Sequence, residues 1–193
     1  MGFSASNCIT EQVRSVRHIP NIISVIRILL VVPIAVALMF DRLALAILLF
    51  GIAAVSDAAD GYLARRFGWQ SELGGILDPI ADKLLLATAF VTLSFLHLVP
   101  QWLMAAAVAR DAIIVLGAAA YRLFVGRLTA HPSLISKINT LCQGTFIVAV
   151  LSRAKFALPP EWLLTGLGAL VFATVAVSGI DYVLVYGRRA AAA

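Results

Sequence analysis

The sequence predicts an all-α integral membrane protein with six transmembrane helices around a polar cavity that faces the cytoplasm. Of the 193 residues 62% are hydrophobic and 13% charged, and the mean hydropathy is +0.98, values far from those of a soluble domain. Six apolar runs each come close to the roughly 20 residues that a helix needs to cross a bilayer. These predicted spans are Ile19 to Phe40, Leu43 to Leu63, Ile76 to Leu96, Trp102 to Phe124, Ile138 to Ala157 and Trp162 to Tyr186.

The first element, residues 1–18, is expected to be a cytoplasmic tail or a short interfacial helix. It is polar and longer than the basic start of a signal peptide, and no small-residue cleavage site follows the next apolar run. As an interfacial helix it would turn Val13 and Val16 toward lipid and Arg14 and Arg17 toward phosphates. We therefore expect the run that begins at Ile19 to be a transmembrane helix of the mature protein.

Prolines mark the predicted starts of the first, fourth and sixth spans, where a helix tolerates the missing amide donor. They are Pro20, Pro100, Pro159 and Pro160. The longest predicted connection, "RLFVGRLTAHPSLISK", contains glycine, proline and several basic side chains, so it is a candidate for contacting lipid headgroups. One membrane domain, residues 19–187, and a tail of residues 188–193 account for the chain.

The distribution of Lys and Arg predicts that both termini lie in the cytoplasm. One side has nine such residues: Arg14, Arg17, Arg65, Arg66, Arg122, Arg127, Lys137, Arg188 and Arg189. The other side has three: Arg42, Arg153 and Lys155. The pI of 9.7 is then explained by inside loops next to anionic lipid, and no nucleic-acid partner is expected. We expect a bacterial inner membrane, with a mitochondrial inner membrane as the alternative.

Four aspartates stand out in the stretch "SDAADGYLARRFGWQSELGGILDPIADK". Asp57 and Asp60 are three apart at the end of the second span, and Asp78 and Asp82 are four apart at the start of the third. Each spacing places a pair on one helix face. A turn from about Arg66 to Gly74 would bring both faces together in a helical hairpin.

Packing these carboxylates together requires positive charge nearby. One ionised aspartate inside a membrane helix costs about 2.5–3.5 kcal/mol, and like charges add repulsion. A single aspartate at a helix end is usually a cap or a solvated charge, but four at helical spacing favour two divalent cations bound by shared carboxylates. Oxygen ligands indicate Mg²⁺ or Mn²⁺, since no His or Cys is nearby.

The stretch resembles the signature of the CDP-alcohol phosphotransferase family. The matching positions are Asp57, Asp60, Gly61, Ala64, Arg65, Gly74, Asp78 and Asp82. Eight positions at residue frequencies near 5% each would coincide by chance far less than once in about a million chains. The motif covers residues 57–82, and the six-span layout extends the resemblance to most of the chain.

The resemblance implies transfer of a phosphoalcohol from a CDP-alcohol to a second alcohol, with release of CMP. The motif residues would then bind metals and the CDP part, with residues 19–187 as the catalytic domain. Implied metal ligands are Asp57, Asp60 and Asp78, with Asp82 completing the carboxylate set and acting as general base. Implied CDP contacts are Asp57, Asp60, Gly61, Ala64, Arg65, Gly74 and Asp78. A homodimer is likewise implied only by the resemblance.

The acceptor alcohol has to be inferred from other stretches. "HIPNIISVIRILL", "ARDAIIV" and "SLISKINTLCQ" resemble the family's cardiolipin synthases, and its phosphatidylglycerophosphate synthases less closely. The latter are expected to have glutamate at Asp111 and a second lysine at Asn139. These departures favour phosphatidylglycerol as acceptor and cardiolipin as product, with glycerol 3-phosphate as the alternative acceptor and CDP-diacylglycerol as donor in both cases.

Three cations within predicted helices or at their cytoplasmic ends, Arg27, Arg110 and Lys137, are candidates for binding a phosphate-bearing acceptor, because intramembrane cations usually face a cavity or a partner. The alternative is that Arg110 pairs with groups in the neighbourhood of Asp111, or that these cations reach the interface. A direct pair between Arg110 and Asp111 is not expected, since adjacent helix residues do not face each other. Lys83 could form an ion pair with an aspartate or have a functional role.

A different class of function, a divalent-cation transporter, is the remaining alternative, because intramembrane carboxylates also form ion pathways. The acidic residues toward the outer face are only Asp41 and Glu161, in loops, which disfavours a continuous path. Cys8 and Cys142 provide no disulfide framework, and the scattered histidines provide no metal site. Asp181 is expected to be interfacial or paired.

Overall fold

The computed structural model describes the backbone of residues 19–67, 74–124 and 134–191, and within these the side chains of residues 24–56, 80–117 and 135–181. Apart from short connections, the described chain is helical, which confirms the predicted all-α class. The six helices are α1 (Ile19–Met39), α2 (Leu43–Phe67), α3 (Gly74–Phe95), α4 (Gln101–Phe124), α5 (Leu134–Phe156) and α6 (Glu161–Ala191). The predicted N-terminal tail lies outside the described residues.

Each helix coincides with one predicted apolar run, and the differences lie mostly at the ends that were assigned to the cytoplasm. There α2 continues to Phe67, α5 begins at Leu134 and α6 continues to Ala191. Hydropathy detects where an apolar run stops, whereas backbone hydrogen bonding continues into polar sequence. Helices α2, α5 and α6 are therefore longer than their apolar runs.

Helix α1 packs against both α2 and α3, while α5 pairs with α6 and α4 bridges α3 and α6. Small side chains allow the close approach, and buried alanines line these contacts: Ala37, Ala46, Ala53, Ala81 and Ala89. Larger residues fill the centre, where the rings of Phe90 and Phe146 stack with centroids 6.1 Å apart. Close packing through small residues is typical of membrane helices, which lack a hydrophobic driving force for association.

The outward helix faces are apolar, the reverse of a soluble protein. Exposed large side chains occur along every helix, among them Leu29, Leu48, Leu84, Leu116, Leu141 and Phe172. An apolar exterior of this extent marks a surface made for lipid or a partner. Among the described residues, two segments have the length and hydropathy to cross a membrane, Ile135–Phe156 and Glu161–Asp181. This finding supports two of the six predicted transmembrane spans.

Three short connections link α1 to α2, α3 to α4, and α5 to α6. Each contains a non-glycine residue with positive φ: Asp41 at 56°, His97 at 58° and Ala157 at 59°. Asp41 and Arg42 donate backbone hydrogen bonds to Leu38 and Ala37, the pairing of a Schellman motif. His97 and Leu98 repeat this pattern after α3. The left-handed residue ends each helix and satisfies its last carbonyl groups.

The prolines at the next helix starts confirm their predicted role. The Pro100 carbonyl accepts hydrogen bonds from the amides of Leu103 and Met104, and the Pro160 carbonyl accepts from Leu163 and Leu164. Proline lacks a donor at a position where the helix does not need one. The connections at this end of the bundle are therefore short and sharply defined.

Replacing Ala157 by glycine is expected to stabilise the protein by about 0.5–1 kcal/mol, because glycine adopts positive φ without the steric cost of a Cβ atom. The measurement is thermal unfolding of the detergent-solubilised protein. The control is Ala154→Gly, at an exposed helical position three residues earlier, which should destabilise by about 1 kcal/mol. A shift of the same sign in both variants would contradict the argument.

Candidate functional site

The four motif aspartates lie at the same end of the helix bundle. Asp57 and Asp60 fall in the last three turns of α2, and Asp78 and Asp82 in the first three turns of α3. The short connections that follow α1, α3 and α5 lie at the opposite end of the bundle, so consecutive helices run in opposite directions. The end that carries the aspartates is thus also where α1 and α5 begin.

The described side chains include one of the motif carboxylates. Asp82 is half-buried on α3 and follows the fully buried Ala81. The side chains of the other motif positions lie outside the described part: Asp57, Asp60, Gly61, Ala64, Arg65, Gly74 and Asp78. Their predicted convergence on one volume, and their roles with metals and CDP, stay predictions.

A charged cluster on the neighbouring helices is described in full. The Lys83 ammonium on α3 donates to Oδ1 of Asp111 on α4 over 2.5 Å, and Nη1 of Arg110 donates to the same oxygen over 2.6 Å. The side chains of Arg110, Asp111 and Lys83 are only 3%, 8% and 18% exposed. Lys83 therefore forms an ion pair with an aspartate, one of its two expected roles.

The expectation that Arg110 and Asp111 would not pair directly is wrong. Neighbouring positions on a helix point about 100° apart, which follows from 3.6 residues per turn and keeps short side chains separate. The arginine side chain is long enough to bend back along α4 until its guanidinium reaches the adjacent carboxylate. Burial favours this contact, since a guanidinium inside the bundle needs an anionic partner.

Arg110 also ties α4 to the last two helices. Its Nη2 donates to Oγ of Ser136 on α5 over 3.1 Å and to Oγ of Ser178 on α6. We call Lys83, Arg110, Asp111, Ser136 and Ser178 the Arg110 network. It joins four helices and contains two cations and one carboxylate, so its formal net charge is +1.

A layer of uncharged polar groups adjoins the Arg110 network on α5 and α6. Asn139 comes about one turn after Ser136 on α5, and Thr174 comes about one turn before Ser178 on α6. Thr174 donates to Oδ1 of Asn139 over 3.0 Å, and Asn139 is 0% exposed. Gln143, one more turn along α5, is 1% exposed. The Nδ2 atom of Asn139 and both amide atoms of Gln143 are buried and have no hydrogen-bond partner among the described side chains. These atoms remain available to a polar ligand or water.

The three predicted acceptor cations do not share one environment. Arg27 on α1 is 1% exposed and Arg110 is 4% exposed, whereas Lys137 is exposed. Lys137 follows Ser136 directly, so it lies next to the network without being buried in it. The residues that the sequence did not predict as part of the site are Ser136, Ser178, Thr174 and Gln143. The polar residues at positions 136, 139 and 143, on one face of an apolar helix, were the signal that could have identified them.

The described side chains contain no group of three or more His, Cys, Asp or Glu residues able to bind a metal. The side chains of the predicted ligands Asp57, Asp60 and Asp78 lie outside the described residues. A set of carboxylate donors suits Mg²⁺ or Mn²⁺. Cys142 is a half-buried free thiol, as expected of a core residue, and Cys8 lies outside the described residues.

Comparison with known proteins identifies relatives over nearly the whole chain. The probable cardiolipin synthase (CMP-forming) of Drosophila melanogaster is 32% identical over 91% of this chain and 60% of its own length. The cardiolipin synthase (CMP-forming) of Homo sapiens is 29% identical over 89% of this chain and 62% of its own. A probable phosphatidylglycerophosphate synthase of Mycobacterium tuberculosis is 30% identical, over 87% and 81%.

The chain spans about three fifths of the length of the animal cardiolipin synthases that it matches. A family model described as CDP-alcohol phosphatidyltransferase matches residues 17–180. That range includes the aspartate motif and every residue of the Arg110 network. The family resemblance predicted from the motif is thereby confirmed, and this chain belongs to the CDP-alcohol phosphatidyltransferase family.

Proposed function

We propose that this protein is a membrane enzyme that transfers the phosphatidyl group of CDP-diacylglycerol to phosphatidylglycerol, producing cardiolipin and CMP. The observation that supports this reaction is the aspartate motif. It lies at one end of α2 and α3 and within the residues that the family model matches. The relatives are named for two different acceptors, so the acceptor has to be argued from this chain's own residues.

The charge of the Arg110 network supports a phosphodiester acceptor. Phosphatidylglycerol has one negative charge on its phosphate, whereas a phosphomonoester such as glycerol 3-phosphate has about −1.5 to −2 near neutral pH. The network has a formal charge of +1, and the next layer presents the neutral amides of Asn139 and Gln143. A lysine in place of Asn139 would add a second positive charge there. The observed residues suit a single negative charge and a hydroxyl-bearing headgroup.

In the proposed reaction the acceptor hydroxyl attacks the phosphorus that bears the diacylglycerol. A new P–O bond forms, the bond to the CMP oxygen breaks, and Asp82 accepts the hydroxyl proton. Two divalent cations held by Asp57, Asp60 and Asp78 would offset the negative charge on the leaving CMP. Arg65 would bind a phosphate of the donor, and Gly61 would allow the cytidine part to approach the helix backbone.

The half-buried setting of Asp82 suits a general base. Its backbone belongs to a packed helix whose neighbour Ala81 is fully buried, so the carboxylate is positioned by the core. Lys83, the next residue, is bonded to α4. Because adjacent positions on a helix point in different directions, Asp82 lies on a different side of α3 from Lys83.

We further propose that residues 19–187 form a six-span catalytic domain whose polar cavity opens to the cytoplasm. The apolar outer faces and the short connections at one end support this arrangement. Arg27, Arg110 and Lys137 would bind the acceptor phosphate. The interfacial tail, the homodimer and the membrane of residence remain predictions from the sequence.

Phosphatidylglycerophosphate synthesis is the second candidate function, favoured by the mycobacterial relative, 81% of whose length this chain covers. The family match leaves the transporter alternative without support, because the matched family is one of phosphatidyltransferases.

Offered phosphatidylglycerol and glycerol 3-phosphate in separate reactions with CDP-diacylglycerol and Mn²⁺, the purified protein is expected to release CMP and form cardiolipin only with the first. The measurement combines CMP release with separation of the lipid products. Turnover restricted to glycerol 3-phosphate would reassign the acceptor and leave the reaction class intact. Absence of CMP release with either acceptor would contradict the proposed reaction.

Replacing Asp82 by asparagine is expected to lower turnover by at least about 10²-fold, the usual contribution of a general base, because the amide cannot accept the proton. Binding of Mn²⁺ and CDP-diacylglycerol should persist, since three carboxylates remain. The control is Asp41→Asn at the opposite end of the bundle, where Asn also tolerates positive φ. Loss of metal binding in step with loss of turnover would show that Asp82 is a ligand and not the base.

A further inference from the structure

Lys83 lies on α3, the helix that carries Asp78 and Asp82, but its ammonium is bonded to a residue of α4. Lys83 directly follows Asp82 and lies five positions after Asp78, yet its Nζ atom contacts Oδ1 of Asp111, 28 residues away. This contact is 2.5 Å long, and both side chains are less than one fifth exposed. The lysine that follows motif residue Asp82 in the chain is thus held by α4.

We propose that Asp111 is a positioning residue that keeps the Lys83 ammonium away from the aspartate motif, so that the motif retains its negative charge for divalent cations. The inference rests on the metal-binding role in the proposed function. It does not depend on which acceptor alcohol is used.

The physical basis is competition between positive charges. A lysine ammonium sits on a flexible four-carbon stem, and one that is largely buried seeks a carboxylate, because leaving it unpaired is costly. Without Asp111 the nearest carboxylates along the chain belong to the motif. An ammonium paired there would neutralise one ligand and repel a divalent cation.

Both cations contact Asp111, but Arg110 has further hydrogen-bond partners in the network. The hydrogen bonds from Arg110 to Ser136 and Ser178 do not involve the Asp111 carboxylate, so we expect them to persist when that carboxylate is removed. For Lys83, the bond to Asp111 is the side-chain contact found among the described residues. Removing the carboxylate therefore releases the cation that lies next to the motif.

The test uses three variants, Asp111→Asn, Lys83→Met and the double variant, with Mn²⁺ binding measured on the folded full chain without substrates. Asp111→Asn is expected to weaken Mn²⁺ binding by about threefold to tenfold, the range of a coupling between neighbouring charges. Lys83→Met should bind Mn²⁺ as the native protein does. The double variant should regain native affinity, because no free ammonium is left and the network's formal charge returns to +1.

A purely structural role predicts a different pattern, in which the double variant binds Mn²⁺ as weakly as Asp111→Asn or more weakly. That result, or unchanged affinity in Asp111→Asn, would overturn the proposal. Asp111→Gln provides a second variant without the carboxylate, and thermal unfolding shows which proteins are folded. If neither single variant at position 111 folds, Asp111 is required for the fold and the proposal is likewise overturned.

The Mn²⁺ dependence of CMP release provides the second readout, with an Asp111→Glu variant that keeps the negative charge. Asp111→Glu should retain native Mn²⁺ affinity, and Asp111→Asn should need more Mn²⁺ for half-maximal release. Native Mn²⁺ binding with no CMP release would count against the proposed reaction and not against the role of Asp111. Absence of Mn²⁺ binding in the native protein would overturn both.

Discussion

The buried guanidinium of Arg110 is the group on which the arrangement of the second half of the molecule depends. An arginine in the interior of a membrane helix costs about 2.5–3.5 kcal/mol on insertion scales, so its donors have to be satisfied by the surrounding helices. Asp111 supplies the charge, while Ser136 and Ser178 supply hydroxyl acceptors. The contacts with Ser136 and Ser178 tie α5 and α6 to α4.

The same carboxylate extends this constraint to α3. Because Asp111 accepts from Lys83 and Arg110 through one oxygen, the start of α3 is held to the helices that carry the neutral amide layer. The candidate base, Asp82, is next to the residue that makes this contact. A buried charged interaction thus involves the residue that follows the proposed general base in the chain.

The opposite end is organised by backbone geometry. Left-handed residues at 41, 97 and 157 end three helices, and prolines begin two of the helices that follow. The charged groups described there include an exposed ion pair across the third connection, between Nη2 of Arg153 and Oε2 of Glu161 over 3.4 Å. The bundle therefore has an end organised by short turns, and the proposed chemistry is assigned to the end that carries the aspartate motif.

By itself, the sequence determined the all-α class, the positions of the six helices and the family, because hydropathy, proline placement and an eight-position motif are local properties of the chain. It also identified Arg27, Arg110 and Lys137 as cations within or at the ends of apolar helices. The tertiary structure decided which of these cations are buried, that Arg110 turns back to Asp111, and that Lys83 and Asp111 meet across 28 residues. Helix periodicity specifies which face a residue occupies, but not which other helix packs there or how far a long side chain bends. Those outcomes depend on contacts between distant parts of the chain, so they became visible only when the helices were packed together.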